Sequence, residues 1–379
     1  MKFEAPVASF IKPLQQLSAL AGGAANPDDI VNNILISVKD NRLFLRATDY
    51  RIELSYTTEV TAYKDGETTV NANKIREACS RLDQAAVVLF TYEPMDEVLI
   101  LQSGSTIYRV RTRDPKDFPV MESEEFEDKL ELRALQLKTI IDRSVFCIAN
   151  DDFREYLRGM RLEVEGDRLT VFTSDGHRMS INEAQLQKPF ESSYGVTLIK
   201  PCATELSKIL QTATTEDEMV TLEFSRNLIS TTFNNFKLTS KLLICNYPNV
   251  RSVIPKEFAV NLSVEREALR QSISRVSVLS SKRINGVTLN FDKGILNLKT
   301  ENAEHEVATD TIPLNYDGEP FEISLNASYV QDVLNSLSYA PEVCFLFQNV
   351  KSLANTMMQA ATADESGVKT GYFIARVVV

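Results

Sequence analysis

Asp175, His177 and Arg178 stand together in the stretch TSDGHRM, Thr173 to Met179. A carboxylate that orients an imidazole, beside a fixed cation, is the raw material of nucleophile activation. No serine or cysteine nucleophile with a supporting motif accompanies them. His305, the only other histidine of the 379 residues, lies in a distant acidic stretch, which suggests no two-histidine metal site. The competing reading is a capped turn, in which Asp175 bonds its own backbone, Gly176 supplies an unusual backbone angle and Arg178 is solvated. Neither a catalytic residue, a metal nor a cofactor is expected here.

The elements that would hold this stretch repeat three times. NILISVKDNRLFLRATD from Asn33, GMRLEVEGDRLTVFTSD from Gly159 and GVTLNFDKGILNLKTEN from Gly286 align without gaps at offsets of 126 and 127 residues. Each reads as a strand, a tight polar turn and a second strand of alternating apolar residues. An amphipathic helix precedes each hairpin: PVASFIKPLQQLSAL, ALQLKTIIDRSVFCIA and EREALRQSISRVSVLS. Pro13 either kinks the first of these or marks a late start. A strand leading into a helix follows each hairpin, in TTVNANKIREACSRL, GVTLIKPCATELSKIL and FEISLNASYVQDVLNSL. The expected organisation is therefore α+β, with three copies of one unit at 1–126, 127–255 and 256–379.

Bulk properties narrow the function. With 44% apolar and 25% charged residues, the composition is that of a soluble globular chain. Five scattered cysteines without a C-x-x-C pair suit reduced cytosolic thiols better than a disulfide framework or a zinc site. Glu4, Lys12, Gln15 and Gln16 interrupt any secretory apolar segment, and no apolar run approaches the ~20 residues that span a bilayer. A cytoplasmic protein is expected. The formal charge of −11 excludes affinity for nucleic acid through one large basic surface, but leaves a locally basic channel open.

Over its full length the chain resembles the bacterial DNA polymerase III beta subunit family, the sliding clamps. KPLQQLSAL, NANKIREAC, REYLRGMRLEVEGDRLTVFTSDGHRM, YPNVRSVIP and NASYVQDVLNSL match family patterns in order. The resemblance implies a ring-shaped head-to-tail homodimer with sheets outside and helices lining a hole for duplex DNA. Such a ring is opened by an ATP-driven loader and tethers polymerases and other replication and repair proteins. A closed ring is held by topology and needs only a mildly positive wall. Lys12, Lys74, Arg76, Arg81, Lys138, Arg143, Lys200, Lys208, Arg266, Arg270 and Arg275 lie on the predicted helices or at their starts. By position, Tyr108 matches the family's interface aromatic, Val278 and Leu279 its apolar pair, and Glu304 and Glu306 two of its acids. Arg109 shares a strand face with Arg111 and Arg113.

For the opening stretch the resemblance implies one wall of a hydrophobic groove that takes a short Gln-led peptide with apolar anchors. Leu157, Ser174, Gly176, His177, Arg178, Met179, Pro248 and Val253 match groove positions, and the last strand adds Phe373, Ala375 and Val379. Two departures mark a divergent member. The chain ends GYFIARVVV where the family usually has a Met-Pro step and an Arg-Leu pair, and Asp28 and Asp29 stand in a loop that is commonly basic and apolar. The alternative is a clamp-fold decoy or regulator that binds partners without being loaded on DNA.

Overall fold

The structure is a computed structural model that describes all residues except 22–25, 27, 122–123, 191–193, 256, 282, 351–352 and 379. It divides into two compact units: Met1–Leu130 with Val220–Leu242, and Glu131–Met219 with Leu243–Val379. The strands that close the middle repeat thus cluster with the first repeat, and the rest of the middle repeat clusters with the third.

In the first unit the strands run, in hydrogen-bonded order, Met219–Phe224, Leu228–Phe233, Phe236–Lys241, Ile52–Glu59, Arg42–Thr48, Asn33–Lys39, Gly66–Asn71, Thr106–Arg113, Val98–Ser103, Val87–Glu93, Lys2–Pro6 and Thr61–Lys64. The second unit holds two sheets. One runs Tyr194–Ile199, Gly159–Glu165, Arg168–Ser174, Arg178–Gln185, Val368–Ala375, Asn355–Ala360, Glu342–Phe347 and Val260–Glu265. The other runs Val307–Pro313, Ile295–Glu301, Gly286–Asp292 and Phe321–Asn326. All three expected hairpins form, and their turns use the residues suited to them. Asp40 and Asn41 both take positive φ (50° and 59°), as do Gly166 (59°) and Gly294 (73°).

Among the described residues, six α-helices accompany the strands: α1 (Val7–Ala21), α2 (Ala72–Ser80), α3 (Ala134–Asp142), α4 (Lys200–Leu210), α5 (Arg266–Val276) and α6 (Ala327–Ser336). Asn71 and Asn326 cap α2 and α6 at matching places in the repeat, each accepting from amides in the first turn. In α4 the matching position is Ile199, which cannot cap, and Pro201 in the first turn removes one unsatisfied donor instead. Helix α1 starts at Val7 and runs through Pro13, so the late start is not adopted. Its buried face carries Phe10, Leu14 and Leu17, and Phe10 meets Phe90 edge-on at 5.6 Å. In the third repeat Phe291 meets Phe345 and Phe347 edge-on in one buried cluster, and the half-buried Phe321 stacks on Phe291 at 4.9 Å.

Helix α3 is shorter than the apolar periodicity suggests. The backbone carbonyl of Arg143 accepts from Ser180 Oγ (3.1 Å) and Tyr372 Oη (2.8 Å), and that of Ser144 from Thr173 Oγ1 (2.8 Å). These side-chain donors satisfy carbonyls that a continued helix would have used. Arg143 is thereby drawn inward: it is 8% exposed, ion-paired with Asp364, 3.3 Å from Thr370 Oγ1 and 4.2 Å from the centre of the Tyr339 ring. This corrects its assignment as a DNA-facing cation. Burial pushes the Asp364 carboxyl up, but hydrogen bonds from Ser366 and Arg143 outweigh it and hold the group below the ordinary range.

Two outcomes follow for urea unfolding. Arg143→Ala takes the ion-pair partner from the half-buried Asp364 carboxylate and should cost about 3 kcal/mol. Because the folded pKa of Asp364 lies below the unfolded one, its contribution is complete above the ordinary carboxylate range and is lost as pH falls below it. Asp364→Asn should therefore lower stability near neutrality and flatten part of the acid dependence measured below about pH 4.

Candidate functional site

The opening stretch lies between two neighbouring strands of the second unit. Ser174 ends Arg168–Ser174 and Arg178 begins Arg178–Gln185, and the pairing Ser174↔Met179 closes the turn. Gly176 takes φ +86°. Asp175 Oδ1 accepts from the amides of His177 and Arg178, each at 3.0 Å, and Ser174 Oγ accepts from the Gly176 amide and donates to the Arg178 carbonyl. The Asp175 carboxylate is thus used on backbone and on Arg178, and the structure gives it no bond to the His177 ring. The exposed His177 ring lies 6.4 Å from Tyr329, nearly parallel to it.

Arg178 is the best-held side chain of the turn, with 10% of its side chain exposed. Nε donates to Asp175 (3.0 Å), Nη1 to Asp332 (2.6 Å) and Nη2 to the Phe146 carbonyl (2.9 Å). Its faces are covered by Tyr329 (4.4 Å) and Phe146 (5.2 Å). Burial opposes its charge, but Asp332, Asp175 and the other nearby groups keep its pKa raised. Three of the guanidinium N–H groups are thus spent within the fold, and Arg178 holds the turn from behind.

The apolar wall stands on the other face of the same strand. Across four strands the register Ser174↔Met179↔Phe373↔Met357 forms one row, and Phe172↔Ile181↔Gly371 forms the next. Phe172, Ile181 and Phe373 are buried, with Met179, Met357, Tyr247, Val250, Ile254 and Phe258 packed on them. Leu157 is 4% exposed and Pro248 is exposed; Tyr156 and Tyr247 meet edge-on at 5.9 Å and bring their two segments together. The last strand continues past the turn, since the Ala375 amide donates to the His177 carbonyl at 2.8 Å. Ala375 is half-buried and Arg376 exposed, and the Arg376 and Val377 amides bond to the carbonyls of Ala354 and Ser324. Val379 and the side chain of Val253 lie outside the described residues.

Sequence reading missed Asp332, Tyr329, Phe146 and Arg154. Arg154 packs on Gly176, where an added Cβ would fall 2.5 Å from its Nη2. It also donates to Asp152 twice from its side chain and once from its amide, which holds that carboxyl down to about 2. The helical spacing of Tyr329 and Asp332 on α6 was the available signal. The fold at Arg154 leads to a specific expectation for Gly176→Ala. The long Arg154 side chain can move aside, so backbone strain at positive φ dominates, at about 1–2 kcal/mol by urea unfolding.

The other candidate residues distribute unevenly. Lys12, Lys74 and Arg81 are exposed, and all three belong to the first unit. In the second unit Lys138 pairs with Asp142, Lys208 with Glu205 (2.7 Å) and Arg270 with Glu267 (2.7 Å). Lys200 donates to the Ile148 carbonyl (3.0 Å) and Asn150 (2.7 Å), and burial, then Arg178, lowers its pKa. Asp28 and Asp29 serve the fold: Arg113 bonds Asp28, while Asp29 caps a short turn and accepts from Tyr50 at 2.9 Å. Of the interface candidates, Tyr108 and Leu279 are half-buried, whereas Arg109, Val278, Glu304 and Glu306 are exposed, Val278 to 77%.

Fold and site together define a repeat-built α+β protein in which one capped hairpin turn borders an apolar sheet face. The family models of the DNA polymerase III beta subunit match it in three parts: the N-terminal domain over residues 1–122, the central domain over 131–249 and the C-terminal domain over 251–365. The beta sliding clamp of Vibrio cholerae is 33% identical over 338 residues, covering 89% of this chain and 90% of that protein. The beta sliding clamp of Escherichia coli strain K12 is 30% identical over 354 residues, covering 93% and 95%. A solved sliding clamp from Pseudomonas aeruginosa bound to griselimycin matches with a TM-score of 0.91 at 26% identity, covering 100% of both chains. The chain belongs to the DNA polymerase III beta subunit family.

Proposed function

We propose that this chain is a DNA sliding clamp, a processivity factor that closes with a second copy into a ring around duplex DNA. Two intrachain junctions and one missing junction carry this reading. The outer hairpin strand Ile52–Glu59 pairs with Phe236–Lys241, which closes the middle repeat, and Arg178–Gln185 pairs with Val368–Ala375, which closes the third. By the same rule the third hairpin's outer strand, Val307–Pro313, calls for the closing strand of a first repeat. Among the described residues it is instead an edge, and Thr106–Arg113 is paired on one side from Thr106 to Arg111 but on the other only at Thr112 and Arg113. Two open edges of this kind invite strand pairing. A head-to-tail second copy satisfies both, with Tyr108 and Arg109 meeting Val278, Leu279, Glu304 and Glu306 across each contact.

The chain is read as three domains, 1–126, 127–255 and 256–379, working in the cytoplasm without catalysis. The wall of Met179, Phe373 and their neighbours suits a short Gln-led peptide with apolar anchors, supplied by a polymerase or loader subunit. The open edges argue for ring closure over a decoy role, which would need no such pairing.

Loading on nicked circular DNA followed by linearisation is the test. The clamp should co-elute with the circle and be released when the circle is cut; absence of retention with an active loader would support the decoy. Met179→Glu places a charge on the apolar wall and should weaken peptide binding by about tenfold or more in a fluorescence titration, while the chain remains dimeric.

A further inference from the structure

We propose that Asp332 is a positioning residue of the docking groove, acting from helix α6 through Arg178; the proposal rests on the groove reading above. Strand alternation separates the two sides. Ser180 and Asn182 bond toward Arg143 and Ser144, on the same side as Arg178, whereas Met179 and Ile181 face the apolar cluster. Asp332 therefore reaches the turn from the face opposite the wall on which a guest would lie. Its Oδ2 accepts from Arg178 Nη1 at 2.6 Å, and Arg178 in turn donates to Asp175, whose other oxygen holds the amides of His177 and Arg178. The His177 carbonyl accepts from the Ala375 amide, so the same turn also fixes the far wall. Asp332 thus completes a chain from helix to carboxylate to guanidinium to turn, and the turn sets both walls. Its own side chain is 44% exposed, so a substitution of equal size opens no cavity.

The probe is a fluorescein-labelled Gln-led peptide with leucine and phenylalanine anchors, titrated against the full dimeric chain, with amide hydrogen exchange read in parallel. Asp332→Asn keeps the shape and removes the charge. It should weaken the peptide about tenfold and speed exchange at His177 and Arg178. Asp332→Glu keeps the charge and should recover part of both effects. Asn335→Ala, exposed on the same helix, should change neither. Wild-type affinity in Asp332→Asn overturns the proposal, as does weaker binding with unchanged exchange at the turn. Should Asp332→Asn fail to fold, Asp332→Ser, which also removes the charge at this 44%-exposed side chain, carries the same reading, and unchanged affinity and exchange there also overturn it. A wild-type chain that binds no peptide instead removes the groove reading, which separates the two failures.

Discussion

Antiparallel pairing between a hairpin's outer strand and the closing strand of the next repeat is the constraint from which the other features follow. It turns a chain of similar units into continuous sheets, and it fixes register, because a slip of one residue would turn every side chain to the other face. At the second junction that register sets Met179 beside Phe373 and places Arg178 opposite Ile374. At the first it sets Glu53 beside Thr239 and Ile52 opposite Ser240. The chain has three hairpins and can use only two of its own closing strands in this way, so the drive to complete the pattern points outside the chain.

The two intrachain junctions share a backbone and differ in chemistry, which explains why one is a groove. The turn at Tyr50 matches the turn at Gly176, both with positive φ (70° and 86°), and Asp49 caps Arg51 and Ile52 as Asp175 caps His177 and Arg178. The wall positions diverge: Phe172, Met179 and Phe373 correspond to Arg46, Glu53 and Thr239. Arg46 pairs with Glu53 at 3.4 Å, and the other Glu53 oxygen accepts from the Met121 amide at 3.1 Å. An apolar anchor placed there would have to desolvate or break a paired charge, so the first junction does not suit the apolar guest proposed for the second.

Much of this was legible in the sequence because it is local. Period-two alternation marked the hairpins, and fixed offsets exposed the triplication. The site was legible as a segment but not as a mechanism. Arg178 read as a solvated or guest-facing cation because its second carboxylate, Asp332, lies 154 residues away. Arg143 read as a surface cation because helical periodicity continues past Asp142, while the donors that end the helix come from Ser180 and Tyr372. Long-range polar partners leave no periodic trace.

The same accounting explains how an acidic chain can travel on DNA. A ring that stays on by topology gains nothing from tight phosphate contacts, since each released counterion deepens a salt-dependent minimum that must be left before the next step. Lys12, Lys74 and Arg81 are exposed, whereas Arg143 is buried on Asp364 and Lys138, Lys208 and Arg270 are paired with carboxylates on their own helices. Surface pairs of this kind add little stability. Their stronger effect is electrostatic: they cap the attraction that the second unit presents to a polyanion. In the ring proposed above, retention rests on strand pairing between copies, and mobility on the weakness of what remains.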